Sequence, residues 1–195
     1  SDKGADWLLL YNFSKDESSR EEFLKLSKKI ARIIDIPFVI GCHLETFEDA
    51  KRAFYTGASG ILLTYRHIKN VKLIKEITDR FGEDKVYMEL DQSILTESDN
   101  IIQECKSLGI GTLLINYKES SKITEDMIAE SQLPVIIRDS LEKNDIKDLL
   151  GIPNVIGITT DFYVNKDIMK AKMALKQENI SVNVFESKLP FSEFK

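Results

Sequence analysis

Cysteine, proline, glycine and histidine are all scarce in this chain of 195 residues, which holds 2, 4, 9 and 2 of them respectively. Cys42 and Cys105 stand far apart, in no CxxC or Cys/His ligand spacing, so a disulfide scaffold and a zinc site are both excluded and no metal is expected. Low glycine and proline beside 43% hydrophobic residues rule out collagen-like and disordered chains. The longest apolar stretches, such as Ile36 to Gly41 or Gly109 to Ile115, fall far short of the ~20 residues of a membrane span. A basic amino end followed by an apolar signal core is also lacking. Positive charge is in deficit, with 27 basic against 32 acidic residues and a net charge of -5, which argues against a nucleic-acid partner. The chain has no GxGxxG after a strand, no GxxxxGK[ST], no HExxH and no nucleophile elbow, so dinucleotide, P-loop and zincin chemistry drop out and no cofactor is expected. These absences describe a reduced, cytoplasmic domain with no membrane partner.

What is present is a repeated unit. Seven short apolar runs of strand length return along the chain: Trp7 to Tyr11, Phe38 to Ile40, Ile61 to Thr64, Val86 to Leu90, Thr112 to Asn116, Val135 to Ile137 and Val155 to Thr159. They are continuous instead of alternating, as in strands covered on both faces of a parallel sheet. Amphipathic stretches lie between them. Glu21 to Ile34 places Phe23, Leu26, Ile30 and Ile33 on one stripe that should be buried. Thr46 and Asp49 form a capping-box pattern, Gly57, Gly82 and Gly109 stand where helices should end, and Asn144 and Asn165 are candidate N-caps.

Strand and helix in alternation mean βαβ units, which close either as an open doubly wound sheet or as a (β/α)8 barrel. An internal repeat favours the barrel. Gly4 to Leu9 returns as Gly109 to Leu114, Ile36 to Ile40 as Leu133 to Ile137, and Ile61 to Thr64 as Val155 to Thr159, each roughly a hundred residues later. A barrel of this type takes ~250 residues, so 195 is short by about one unit.

Barrel chemistry sits just past the carboxyl ends of the strands. Those positions are Asn12, Cys42-His43, Tyr65-Arg66, Asp91, Asn116-Tyr117, Arg138-Asp139 and Thr160-Asp161. Asp91 either serves as a general acid or base at the mouth, or caps a loop or pairs with Arg66 or Arg138. Arg66 and Arg138 suit bidentate phosphate binding, and both also suit ordinary ion pairs. Cys42 and His43 are adjacent on an extended segment and point to opposite faces, so they do not make one nucleophilic site. Cys105 and Trp7 read as core.

Gly4-Ala5-Asp6-Trp7-Leu8-Leu9-Leu10, Ile34 to Gly41, Glu48-Asp49-Ala50 with Gly57-Ala58, Arg80-Phe81-Gly82 and Val86 to Asp91 together resemble the histidine-biosynthesis barrel family. That family comprises the cyclase subunit of imidazole glycerol phosphate synthase (HisF) and the phosphoribosylformimino aminoimidazole carboxamide ribotide isomerase (HisA). The similarity runs from residue 4 to about 91 and, more weakly, to about 185. The Ile-Asp-Ile-Pro-Phe segment brings the cyclase nearer. The resemblance implies a two-fold repeated (β/α)8 barrel of the ribulose-phosphate-binding type over residues 1–185, lacking its first βα unit and with it one of two catalytic aspartates. It implies that Asp91 matches the other catalytic aspartate, and that Tyr117 stands where the isomerase carries its second acid. Matched to the family's phosphate sites are Gly41, Thr64, Arg138, Ser140, Thr159 and Thr160, where Gly41-Cys42-His43 and Arg138-Asp139-Ser140 replace glycine-rich runs, and Arg66 joins them as a candidate through its guanidinium. The departures cluster at the mouth, as in a scaffold whose catalytic duty has lapsed.

Residues Asn183 to Lys195 resemble the stretch that joins such a barrel to a phosphoribosyl-AMP cyclohydrolase and phosphoribosyl-ATP pyrophosphatase pair, so 186–195 reads as a linker toward a following domain. The expectation is therefore a catalytically degenerate module of a multifunctional histidine-biosynthesis protein, serving as a structural, dimerising or phosphoribosyl-binding part. Two alternatives stand beside it: an active cyclase or isomerase whose first strand lies outside this chain, and an unrelated phosphate-binding barrel using Arg66 and Arg138. An incomplete barrel exposes strand edges, which predicts either a homodimer or a segment outside this chain that completes the barrel.

Overall fold

The structure is a computed structural model and describes residues 4–12, 14–98, 100–138, 146–159, 168–177 and 179–182; for residues 169–171 only the backbone is described. All seven predicted runs are strands: β1 (Leu8–Asn12), β2 (Phe38–Cys42), β3 (Gly60–Thr64), β4 (Val86–Asp91), β5 (Thr112–Asn116), β6 (Val135–Arg138) and β7 (Val155–Thr159). Each pairs in parallel with its neighbour in sequence, giving one seven-stranded sheet in the order β1 to β7. The register shifts at Val135 and Ile136, where β6 meets β7. The helices are α1 (Glu17–Ile30), α2 (Phe47–Phe54), α3 (Val71–Phe81), α4 (Gln92–Glu97), α5 (Ile101–Ser107), α6 (Lys122–Glu130), α7 (Ile146–Leu150) and α8 (Ile168–Gln177).

Local chemistry sets the helix ends. The Asp16 carboxylate accepts from the Ser19 amide at 2.7 Å, so α1 starts four residues earlier than the apolar stripe suggests. Thr46 and Asp49 form the expected reciprocal box, with the Asp49 carboxylate accepting from the Thr46 amide at 2.9 Å. Gly57 follows α2 at φ +98°, where a Cβ would lie 3.1 Å from the Ala31 Cβ, so glycine is required both by the backbone and by the neighbouring helix. Gly111 marks a second close approach, since a Cβ there would collide with the Glu83 backbone just before β4. Asn144 and Asn165, the other two candidate caps, lie outside the described residues.

Alternation along each strand sorts side chains into two layers. Phe38, Ile40, Ile61, Leu63, Val86, Met88, Leu90, Leu113, Ile115, Val135 and Ile137 face the helices and form one large core with Leu73, Ile74, Ile77, Ile128 and Leu149. Val39, Leu62, Leu114 and Ile136 face the other way and meet Trp7, Leu9, Tyr11 and Tyr87 in a separate inner cluster. An inner cluster made from β1, β2, β3, β4, β5 and β6 together requires a curled sheet. The Arg138 guanidinium of β6 lies 5.0 Å from the centre of the Tyr11 ring of β1. In a flat sheet, strands five places apart would be separated by roughly 24 Å. The fold is thus a (β/α) barrel of TIM type that is one unit short of eight.

The outer strands show what that shortfall does. Every residue of β2 is buried, whereas β1 is half-buried throughout and Ile156 of β7 is 63% exposed. Across this seam the buried Lys172 of α8 places its Nζ within 2.7 Å of both Asp6 carboxylate oxygens, tying the last helix to the segment before β1. The predicted α1 stripe is only partly correct: Phe23 packs on the core, but Leu26 is 54% and Ile33 81% exposed. Among the described residues no helix is long and apolar enough to cross a membrane.

Candidate active site at the barrel mouth

Two residues beyond the cluster members of β2 to β6, the inward positions leave the apolar layer, at a glycine in β2 and at polar side chains in the other four. Gly41 follows Val39, Thr64 follows Leu62, Glu89 follows Tyr87, Asn116 follows Leu114 and Arg138 follows Ile136, with Thr159 opposite Arg138 in the β6–β7 register. Asp91 lies one further step along β4, exposed at the mouth, where it opens α4. This ring is the natural place for chemistry in the fold.

The interior of the ring is built around Asn116. Its Nδ2 donates to Glu89 Oε1 at 3.1 Å and to Asp91 Oδ1 at 3.0 Å, so one amide holds two carboxylates of the same strand face. Asn116 Oδ1 is buried and accepts no hydrogen bond among the described residues. Arg138 Nη1 approaches Glu89 Oε1 at 3.5 Å while its guanidinium lies over Tyr11. The Glu89 side chain is only 12% exposed and that of Arg138 31%. Tyr11, Arg138, Glu89 and Asn116 therefore form a continuous string across the lumen, with cation–π and ion-pair contacts in series. The Asp91 carboxylate, on the same Asn116 amide, adds a second negative group beside the Glu89–Arg138 pair, which works against seating an anion directly on Glu89.

The expected site residues fall into groups. Asp91 and Arg138 both join the string, but not as each other's partner: Asp91 is held by Asn116, and Arg138 by Glu89. Thr64 caps the 3-10 turn Tyr65–Lys69 through His67. His67 Nε2 lies 2.8 Å from the Leu44 carbonyl and donates to it, which leaves Nδ1 to accept from the Thr64 amide at 3.0 Å, with the Thr64 hydroxyl 3.1 Å away. Arg66 is exposed on that turn and makes no hydrogen bond or ion pair among the described residues. Gly41 and Thr159 line the wall. Ser140 and Thr160, with Asp139 and Asp161, lie outside the described residues.

Other residues past the strand ends serve the scaffold. Asn12 organises its own turn, accepting from the Ser14 amide at 2.8 Å. The Tyr117 hydroxyl donates to Glu125 at 3.0 Å and accepts from the Ser121 amide, and burial raises its pKa above the usual value. Cys42 faces the outer core, where burial pushes its thiol up to about 12, and His43 pairs with Glu45 at 2.9 Å. Among the described residues no cluster of three His, Cys, Asp or Glu side chains could hold a metal ion.

Glu89 and Tyr11 were not anticipated. The signal for Glu89 was available: in Val86-Tyr87-Met88-Glu89-Leu90-Asp91 it is a lone charge inside an apolar run, two residues before Asp91 and so on the same face.

A sequence profile of the family described as histidine biosynthesis protein matches residues 1–118. The chain belongs to that family. It is similar to the imidazole glycerol phosphate synthase subunit HisF of Exiguobacterium sibiricum, with 28% identity over 135 residues covering 61% of this chain and 54% of that protein. The HisF subunit of Tolumonas auensis is 32% identical over 91 residues, which cover 47% of this chain and 35% of that one. A longer and weaker similarity, 22% over 227 aligned positions, covers 94% of this chain and 85% of HisF from Nitrosopumilus maritimus. This histidine-biosynthesis barrel thus spans about half the length of the Exiguobacterium relative and about a third of the Tolumonas one. A protein from Burkholderia cenocepacia J2315 described as a phosphonomutase superimposes with a TM-score of 0.62 at 18% identity, covering 83% of this chain and 76% of that one, and shares the fold.

Proposed function

We propose that the chain is a catalytically lapsed barrel domain of a multifunctional, cytoplasmic histidine-biosynthesis protein, acting as a structural and dimerising module and not as a cyclase or isomerase. The string from Tyr11 through Arg138 and Glu89 to Asn116 carries this reading, because it sets an ion pair across the lumen just below Asp91. Asp91 itself accepts from the Asn116 amide at 3.0 Å, with the Glu89–Arg138 pair one inward step below it. If a phosphoribosyl ligand binds at all, it does so through the rim positions Gly41, Thr64, Thr159 and Arg138, with Ser140, Thr160 and the outlying Arg66 as further candidates. Similarity of residues 183–195 to a known linker supports a following cyclohydrolase and pyrophosphatase pair.

The test is turnover of the cyclase and isomerase substrates by the chain, followed by calorimetric titration with the same compounds. The expected result is no turnover, with weak binding or none. A kcat in the ordinary range of about 1 to 1000 per second would overturn the proposal. The second reading, an active family enzyme, rests on the exposed position of Asp91 at the end of β4. It requires that Asp91→Asn abolish the turnover. The size of the native protein in its own cells, seen with an antibody to this barrel, tests the fusion: a species no larger than the barrel removes it.

A further inference from the structure

The uncovered side of α1 has a pattern of its own. Glu17 and Glu21 pair with Arg52, and Arg20 with Asp49, so one flank of α1 faces α2. At 100° per residue, Leu26 lies about 180° around the helix from Glu17, on the flank away from α2. Ser19, Glu22, Leu26 and Lys29 follow one another there at spacings of three, four and three, the period of a helix-pairing seam, and Ile33 continues the line in the turn that follows the helix. Leu26 and Ile33 are the two exposed apolar side chains of the line. Glu22 and Lys29 are exposed and make no ion pair among the described residues, although Glu17, Arg20, Glu21 and Lys25 on the same helix are all paired.

We infer that this line is the contact between two copies of the chain, with α1 packed antiparallel to its equivalent about a two-fold axis at Leu26. The inference rests on the dimerising role proposed above and names the surface that carries it. Charge order selects the occupant. Glu22 stands four residues before Leu26 and Lys29 three residues after it, so a two-fold axis at Leu26 sets Glu22 against the partner's Lys29, and Lys29 against the partner's Glu22. A surface that is its own complement fits a second copy, in which each contact occurs twice. One helix flank buries less than the ~800 Å² per partner of a standard interface, so the dimer is weak and concentration-dependent.

Sedimentation velocity over a concentration series, together with cysteine crosslinking of the whole chain, tests this. Leu26→Cys sits on the axis and should form a disulfide with its own equivalent under mild oxidation, against a quiet background because Cys42 and Cys105 are buried. Tyr55→Cys, equally exposed at the end of α2, should not. Glu22→Lys should weaken the dimer about tenfold by setting lysine against lysine, and Glu22→Lys with Lys29→Glu should restore it. Thermal melts of the charge variants should match the parent, since both side chains are exposed. A monomer at every concentration overturns the proposal, including one in which another helix of the same polypeptide covers the line. A dimer indifferent to Glu22→Lys also overturns it, as does a double swap that fails to rescue. Turnover of a family substrate would remove the loss of catalysis proposed above while leaving the dimer standing.

Discussion

Truncation of Glu89 to alanine is the sharpest probe of the lumen. It removes one of the two acceptors of the Asn116 amide, at 3.1 Å, and a counter-charge of Arg138 at 3.5 Å. The first loss is a hydrogen bond to a charged group in a nearly closed space, worth about 1.5 to 3 kcal/mol. The second is smaller, because Arg138 is about a third exposed and can turn to water, so the full 3 to 5 kcal/mol of a broken buried pair does not apply. Arg138 also keeps the Tyr11 ring. A total of about 2 to 3 kcal/mol follows, or roughly 4 to 12 °C in Tm for a chain of this size. Glu89→Gln, which keeps an acceptor oxygen without the charge, should lose about 1 kcal/mol. Urea denaturation of parent, single and double variants gives the couplings directly. The coupling of Glu89 with Asn116 should exceed that of Glu89 with Arg138. If Glu89→Ala leaves stability within about 0.5 kcal/mol of the parent, or raises it, the string is not a structural element of the lumen and the reasoning fails.

Other outcomes can be checked on the same material. Neither Cys42 nor Cys105 should react with a thiol reagent at pH 8 in the folded chain, because burial raises both to about 12, and both should react in denaturant; labelling of the folded chain at either site would contradict the burial. Thr46→Ala should cost about 1 kcal/mol at pH 7 by removing the α2 cap. Burial acts to raise the Asp49 carboxyl, yet hydrogen bonds from Thr46, the amides of Glu45 and Thr46, and Arg20 hold it below its ordinary value. Its stabilisation is therefore present above the unfolded value of about 3.9 and fades as pH falls through the lower folded value, so the gap between parent and Thr46→Ala should narrow in acid. A gap that stays constant down to pH 2 would show that Asp49 is not part of the cap. Lys172→Met should cost no more than about 1 kcal/mol, since the Asp6 side chain is 44% exposed and rehydrates, and hydrogen exchange should speed up in α8 more than in β2 to β6; uniform acceleration would count against a local latch.

Strand content and order were legible because β2, β3, β5 and β6 are covered on both faces, which writes each of them as a nearly unbroken apolar run such as Ile61-Leu62-Leu63. The same continuity hid which residues point inward. Glu89 betrays its face only once β4 is known to alternate between the helix core and the lumen. The partners at the mouth were illegible for a different reason: Arg138 meets Tyr11 across the lumen, and no spacing in the chain encodes a contact between residues so far apart in sequence. The α1 stripe misled because amphipathicity reports apolar positions without saying which neighbour covers them. Leu26 and Ile33 belong to that stripe and are exposed all the same.

The bridge from Lys172 to Asp6 joins residues 166 apart, whereas every strand pairing joins neighbours in the order of synthesis. Contacts between sequence neighbours form fast and contacts across the whole chain form slowly. On a ribosome, β1 to β6 accumulate as a curling ribbon, and only the arrival of α8 supplies the lysine that fastens back to the segment before β1. Lys172 thus sets a moment in biogenesis as well as a distance in the finished barrel.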